Sequence, residues 1–228
     1  MQLLNFSGRL LQALMLGLMG AVFLGVGVFL GVFAARDASA EADRVAAMAP
    51  LGLAGLEAGR PGAAALLEGT LSARNPARFR DFIAYTREEY HGEDSDGDAD
   101  WREDERVTPP LLVDLDGGVA QIGNDSYRIS TPHASWQEGS VLYWNGLSGE
   151  GTKRYAGLVA GRPVLALGMI QAGPEGNELQ AELIFGGTRA EYIANQRGSA
   201  RILPFMGLIF GGVGVLLLGV GVRTLLRR

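Results

Sequence analysis

Two long apolar runs bracket this chain and constrain its fold more than any other feature. Leu10 to Ala35 is 26 residues with Gln12 as its one polar side chain, and Ile202 to Val222 is 21 residues without a charge. A helix rises about 1.5 Å per residue, so about 20 apolar residues cross a hydrocarbon core of roughly 30 Å. Both runs reach that length. The remaining ~165 residues could not bury two helices that are apolar all round, which argues against core helices of a soluble fold. Ala38-Ser39-Ala40 has the look of a signal-peptide cleavage site. A signal h-region, however, is typically about 7–15 residues, so an uncleaved span is the expectation.

Charge is segregated in the same way. No Asp or Glu precedes Asp37 or follows Glu191. The segment between Arg36 and Arg201 holds 16 basic and 25 acidic residues, a net −9, while the ends carry +4. Such an acidic domain lacks the basic footprint that nucleic acid requires, so no nucleic-acid partner is expected. There is no cysteine, which excludes disulfides, thiolate metal sites and cysteine nucleophiles. Arg9, Arg223, Arg227 and Arg228 lie on the outer sides of the runs, against Arg36 and Arg201 on the inner sides. The positive-inside rule then puts both termini in the cytoplasm and the domain on the extracytoplasmic face.

The expected organisation follows. Residues 1–9 are a cytoplasmic N-terminus, 10–35 a transmembrane helix and 36–63 a juxtamembrane helix and linker. Residues 64–201 are a β domain, 202–222 a second transmembrane helix and 223–228 a cytoplasmic C-terminus. Strands are expected over 64–71, 79–90, either side of the Asp114–Gly118 turn, 127–129, 141–143, 164–170 and 179–185. An acidic tip is expected over 91–106, and a helix over 187–199 leading into the second span. The fold class is a membrane-anchored α+β protein. Its small, mainly-β domain, an OB-like barrel or an open sheet, lies between two transmembrane helices. Gly27 and Gly31 are four apart, as are Gly207 and Gly211, a spacing that lets helix backbones approach. It serves either self-association, giving a homo-oligomer, or packing of the two spans on each other.

The order of motifs carries a resemblance. An EGTL strand (Glu68 to Leu71) follows the first span, then a strand ending Tyr85-x-Arg87-Glu88-Glu89-Tyr90. An acidic tip with Trp101 comes next, then Pro110-Leu111-Leu112-Val113-Asp114-Leu115-Asp116-Gly117-Gly118-Val119, and Val164 to Gly168 before the last helix. The chain resembles the GIDE-type, or "beside-a-membrane", domain of the mitochondrial membrane-anchored ubiquitin ligases and their prokaryotic relatives. The resemblance runs from the first span to the last. It implies a double anchor, an externally facing β domain in which Trp101 packs on the sheet, and a role in binding or regulation. In those ligases a zinc-binding RING follows the second span. Here Arg228 ends the sequence and there is no cysteine, so no ligase residue carries over.

Asp94, Asp96, Asp98, Asp100 and Glu105 fall at positions 1, 3, 5, 7 and 12 of a calcium loop of the EF-hand kind. Position 6, which requires glycine, is Ala99, and the glycine is displaced to Gly97, two residues earlier. The competing reading is a solvated hairpin tip whose charges keep an edge from aggregating. His133 with Ser135 lacks a nucleophile elbow or an oxyanion loop, and Asp114 and Asp116 read as turn formers. No P-loop occurs, and no charge sits inside either span. The expectation is a non-catalytic adaptor or regulatory protein whose external domain binds a membrane or extracytoplasmic protein, without a cofactor. Two other readings stand beside it. One is an accessory subunit of a ubiquitin-ligase-like system with a separate catalytic chain. The other is a sensor using the acidic loop for millimolar calcium.

Overall fold

The computed structural model describes residues 2–226, with side chains from Leu10 onward. Of the basic residues that carry the orientation argument, Arg227, Arg228 and the side chain of Arg9 lie outside the described residues. The chain is α+β, with two long apolar helices flanking a β-sheet domain. It divides into two compact units. One comprises the residues up to Ala47 with those from Ile193 on, and the other is Met48–Tyr192.

In the helical unit, α1 (Gln2–Val28) runs through a π-helical segment, Phe29–Ala34, into α2 (Ala35–Ala47). Helix α4 (Arg189–Leu226) returns antiparallel and bears Pro204 in its interior. Both helices are long and apolar enough to cross a bilayer. Burial repeats along each. On the first arm, Ala13, Gly20 and Gly27 are buried seven residues apart, then Ala35 and Ala42 after a step of eight. On α4, Gly207, Gly214 and Gly221 are buried at intervals of seven. A seven-residue repeat is the seam of a left-handed helix pair. The π segment fills the step of eight, absorbing the extra residue so that the seam stays on one face.

Backbones touch at the glycines. A Cβ on Gly27 would stand 2.5 Å from the Gly211 nitrogen and 2.7 Å from the Gly207 carbonyl. One on Gly207 would meet the Gly27 carbonyl at 2.5 Å, whereas one on Gly211 would meet nothing within 4 Å. Gly31 is looser, 3.5 Å from Gly207 by the same construction. Of the two uses of these glycines, the structure displays packing of one helix on the other. The outer faces expose Leu14, Leu18, Phe29, Leu208 and Leu216, as lipid-facing surfaces do.

The β unit begins with a short helix, α3 (Leu53–Glu57), inside the stretch expected to be linker. Leu56 is fully buried, and the Asn177 amide donates to the carbonyls of Leu56, Glu57 and Gly59 at 2.7–3.1 Å. These bonds satisfy the last carbonyls of the helix and tie it to the domain. Twelve strands follow: β1 (Ala64–Leu71), β2 (Phe82–Glu93), β3 (Ala99–Val107), β4 (Leu111–Leu115), β5 (Gly118–Ile122), β6 (Arg128–Ser130), β7 (Ala134–Gln137), β8 (Trp144–Asn145), β9 (Glu150–Gly151), β10 (Lys153–Val159), β11 (Pro163–Gly173) and β12 (Gly176–Phe185).

One sheet has the order β11-β1-β4-β5-β12-β6, and β11 also pairs with β12, so the pairing returns to β1. The link between β5 and β12 is slight, a single parallel pair, Leu179 with Ile122. Asn124 supplements it. Its side chain accepts from the Ala181 N–H and donates to the Ala181 carbonyl, both at 2.8 Å, standing in for a missing strand partner. Asn75 does the same beyond the end of β1, exchanging both bonds with Leu112 at 2.8 Å. The core lies inside this circuit, where Leu67, Leu111, Ile122, Leu158, Leu179 and Ile184 are fully buried. Each such side chain stabilises the fold by about 1.5–3 kcal/mol.

The second sheet has the order β3-β2-β10-β7, and β8 with β9 forms a separate ribbon. Three expectations are corrected here. The acidic stretch 91–106 is mostly strand, because β2 continues to Glu93 and β3 starts at Ala99, leaving 94–98 as the turn. On β3 the carboxylates of Asp100, Glu103, Asp104 and Glu105 are ion-paired with arginines. Residues 79–81 are a tight turn, with the Phe82 N–H donating to the Phe79 carbonyl at 2.9 Å, so β2 starts late. Val141–Tyr143 is loop, not strand: its apolar side chains find no packing partner, and Val141 is 79% exposed.

Candidate functional site

The four-stranded sheet ends in two unlike edges. Strand β3 pairs only with β2, and β7 only with β10. On the β3 side, Arg87 bridges Asp104 and Glu105 at 2.9 and 2.8 Å. Arg102 pairs with Asp100 at 2.6 Å and Arg106 with Glu103 at 2.9 Å. The Arg102 guanidinium holds the Asp100 carboxyl below its usual range. Behind this edge Trp101 packs on Tyr90, with ring centroids 5.5 Å apart, and the Arg154 guanidinium lies 4.2 Å from the indole centroid.

The β7 edge carries no charge in Ala134-Ser135-Trp136-Gln137. Behind it stands an aromatic cluster from three strands and the turn before β2. The rings of Phe79 and Tyr155 stack at 4.0 Å, and Trp136 lies 5.5 Å from Phe79 and 5.6 Å from Tyr155. Trp136 and Tyr155 are direct cross-strand partners, which is why the sheet register places them together. Tyr85 completes the group at 5.5 Å from Tyr155, and burial with the nearby Glu105 carboxylate pushes its phenol up.

Beside β7 opens a cleft of about 340 Å³, whose lining includes Arg80, Asp81, Phe82, His133, Trp136 and Arg162. Arg80 has a φ of 51°, a conformation few side chains adopt, and its guanidinium lies 4.5 Å from the Trp136 centroid. Among the described residues neither Arg80 nor Arg162 makes an ion pair.

His133 fastens the start of β7. Its N–H donates to the Gly157 carbonyl at 2.9 Å, its Nδ1 accepts from the Val159 N–H at 3.1 Å, and its Nε2 lies 2.9 Å from the Pro163 carbonyl. The neutral tautomer with hydrogen on Nε2 satisfies both contacts. Burial pushes the imidazole below its ordinary value, opposed by the Pro163 bond. With both ring nitrogens held by backbone, His133 has none free for acid–base work with Ser135.

The acidic-loop residues are placed apart. Asp94 closes the turn, its Oδ1 accepting from the N–H groups of Asp96 and Asp98 at 2.9 and 3.0 Å. Asp100 and Glu105 lie on β3 in ion pairs. Among the described residues no three His, Asp or Glu side chains converge as metal ligands. Sequence reasoning missed Arg80, Trp136 and Arg162. Arg80 is followed directly by Asp81, and positions 80, 136 and 162 are far apart in the chain, so no local pattern marked them. The chain matches no protein-family model, no curated protein and no solved structure.

Proposed function

We propose that the chain is a non-catalytic, membrane-anchored adaptor or regulatory protein whose β domain binds a protein partner along β7. The observation that carries this reading is the unpaired, uncharged β7 edge. Exposed strand edges recruit further strands, and proteins that do not use them blunt them with charge. Strand β3 is blunted in that way and β7 is not. The loop after β7 adds apolar surface, with Val141 and Tyr143 at 79% and 60% exposure, as does the β8–β9 turn with Leu147 at 102%. In this reading both termini are cytoplasmic and the domain faces the other side. The two spans hold it at high effective concentration near other membrane proteins. The returning strand circuit is read as an OB-like barrel, and the chain as a GIDE-type relative.

The absence of native cysteine gives a direct test. Ser135→Cys and Asp104→Cys variants of the full chain would be coupled to a photoreactive maleimide in intact membranes and irradiated. A defined protein captured from position 135 and not from 104 is the expected result. Equal capture from both edges, or none from 135, sinks the reading.

A further inference from the structure

The cleft beside β7 deepens the adaptor reading and rests on it. Residues 48–192 hold 22 acidic and 12 basic side chains. Carboxylates are in excess, and the arginines around β3 take them as partners. Arg87, Arg102, Arg106 and Arg154 are all ion-paired. Among the described residues Arg60, Arg74, Arg78, Arg80, Arg128 and Arg162 make no ion pair, and of these Arg80 and Arg162 share the β7 cleft. Arg80 is moreover held there in a left-handed backbone conformation and stacked on Trp136. Strain of that kind persists where surrounding structure imposes it, and it concentrates at binding sites.

We propose that the cleft receives a carboxylate, borne by an extended segment of the partner that pairs with β7, between the guanidinium groups of Arg80 and Arg162. A guanidinium presents parallel N–H donors that match a carboxylate in two-pronged fashion. The walls contributed by Phe82, Trp136 and Val159 exclude water from one side of the pair. Strand pairing fixes the register of the incoming segment, and its alternate side chains face the cleft. The volume sits near the small end of ligand pockets, right for one acidic side chain or a C-terminal carboxylate. Asp81 is the acidic residue on the lining, so the cleft is cationic by one charge within an anionic domain. At about 0.15 M salt the Debye length is about 8 Å, so that local charge outweighs distant carboxylates for a docked group.

The test uses the full chain in detergent and capped fluorescent heptapeptides of alternating Thr and Val. Glu replaces each position in turn, and Gln does so in a matched set. Fluorescence anisotropy should show the best Glu peptide binding about tenfold tighter than its Gln counterpart. Arg162→Gln should abolish that preference, and Arg162→Glu should transfer it to the Lys analogue. Arg106→Gln, on the other edge, should leave it intact. Arg162 is exposed, and the gain for Lys separates recognition from misfolding. Equal binding of Glu and Gln peptides, no binding of either, or no change in Arg162→Glu overturns the carboxylate site. If position 135 still captures a protein partner in membranes, the adaptor reading survives that loss. If it captures none, the adaptor reading falls whatever the peptides do.

Discussion

Strands β3 and β7 close the same sheet on opposite sides. Of nine residues in β3 six are charged, and three arginines hold its carboxylates in place. Of four residues in β7 none is charged, while among the described residues the arginines beside it make no ion pair. Each edge has a tryptophan under an arginine, so the aromatic–guanidinium stack is common to both. The difference is where the charge is spent: across β3 it terminates the sheet, and next to β7 it stays available. One sheet can thus be closed on one side and receptive on the other without any change of fold.

The largest effect should come from the two tryptophans. Trp136 packs against Phe79 and Tyr155 and carries Arg80, whereas Trp101 packs on Tyr90 alone and carries Arg154. Trp136→Ala should cost about 2–3 kcal/mol and Trp101→Ala about 1–2, both below a fully buried aromatic because each residue is only partly buried. Thermal unfolding of the full chain in detergent, followed by circular dichroism, measures both. A larger loss at Trp101 would mean that the β3 side, not the β7 cluster, organises the sheet.

Next in size is Arg87→Ala, which leaves Asp104 and Glu105 without their shared guanidinium. With these side chains about a quarter to a third exposed, the loss should be about 1 kcal/mol. High salt should shrink the difference from the parent chain, because screening weakens the lost attraction. A salt-independent loss would show that Arg87 acts through packing of its stem.

Acid should loosen β7 before β3. The folded-state pKa of His133 lies below its ordinary value, so as pH falls the unfolded chain binds the proton first. The stabilisation is complete above about pH 6.5 and declines as pH drops below that, until the folded imidazole is protonated too. Protonation puts a hydrogen on Nδ1 against the Val159 N–H, and Arg162 nearby adds repulsion. On β3 the arginines do not titrate in this range, and Asp100 is held below the usual carboxyl value. Amide exchange corrected for intrinsic rate, at pH 7 and pH 5, should lose protection in β7 and at Val159 while β3 holds. His133→Gln should remove the pH dependence. Equal loosening of both edges would refute the assignment.

These contrasts show what the sequence could and could not disclose. The spans, β1, the β4–β5 hairpin around Asp116-Gly117 and the β11–β12 pair were legible, because apolar periodicity and turn residues are local signals. Strand β10 was not. Lys153-Arg154-Tyr155-Ala156-Gly157 alternates poorly, and it is a strand because β2 and β7 pair with it on either side. The Asp-rich pattern from Asp94 to Glu105 drew attention to a loop, whereas pairing across β2 turned most of it into an ion-paired edge. The arginine cleft joins residues 80, 136 and 162, whose separation in sequence hides it. The seam glycines announced a close approach, but only the helix pair separates Gly207, at contact, from Gly211, with open space.

The smallest effect should come from Arg80→Gly, and its sign is the informative part. Glycine adopts a φ near 51° without a steric penalty, whereas a side chain there costs about 1 kcal/mol. Removing the guanidinium forfeits its stacking on Trp136, about 0.5–1 kcal/mol for an exposed pair. The two nearly cancel, so stability should stay within about 0.5 kcal/mol of the parent chain. Peptide discrimination at the cleft should nevertheless fall, because one of its two cations is gone. A chain unchanged in stability but blind to the difference between Glu and Gln would show that the strained arginine is held for recognition. If the substitution instead destabilises by several kcal/mol, Arg80 is a structural clamp on Trp136, and the two edges differ less than their charges suggest.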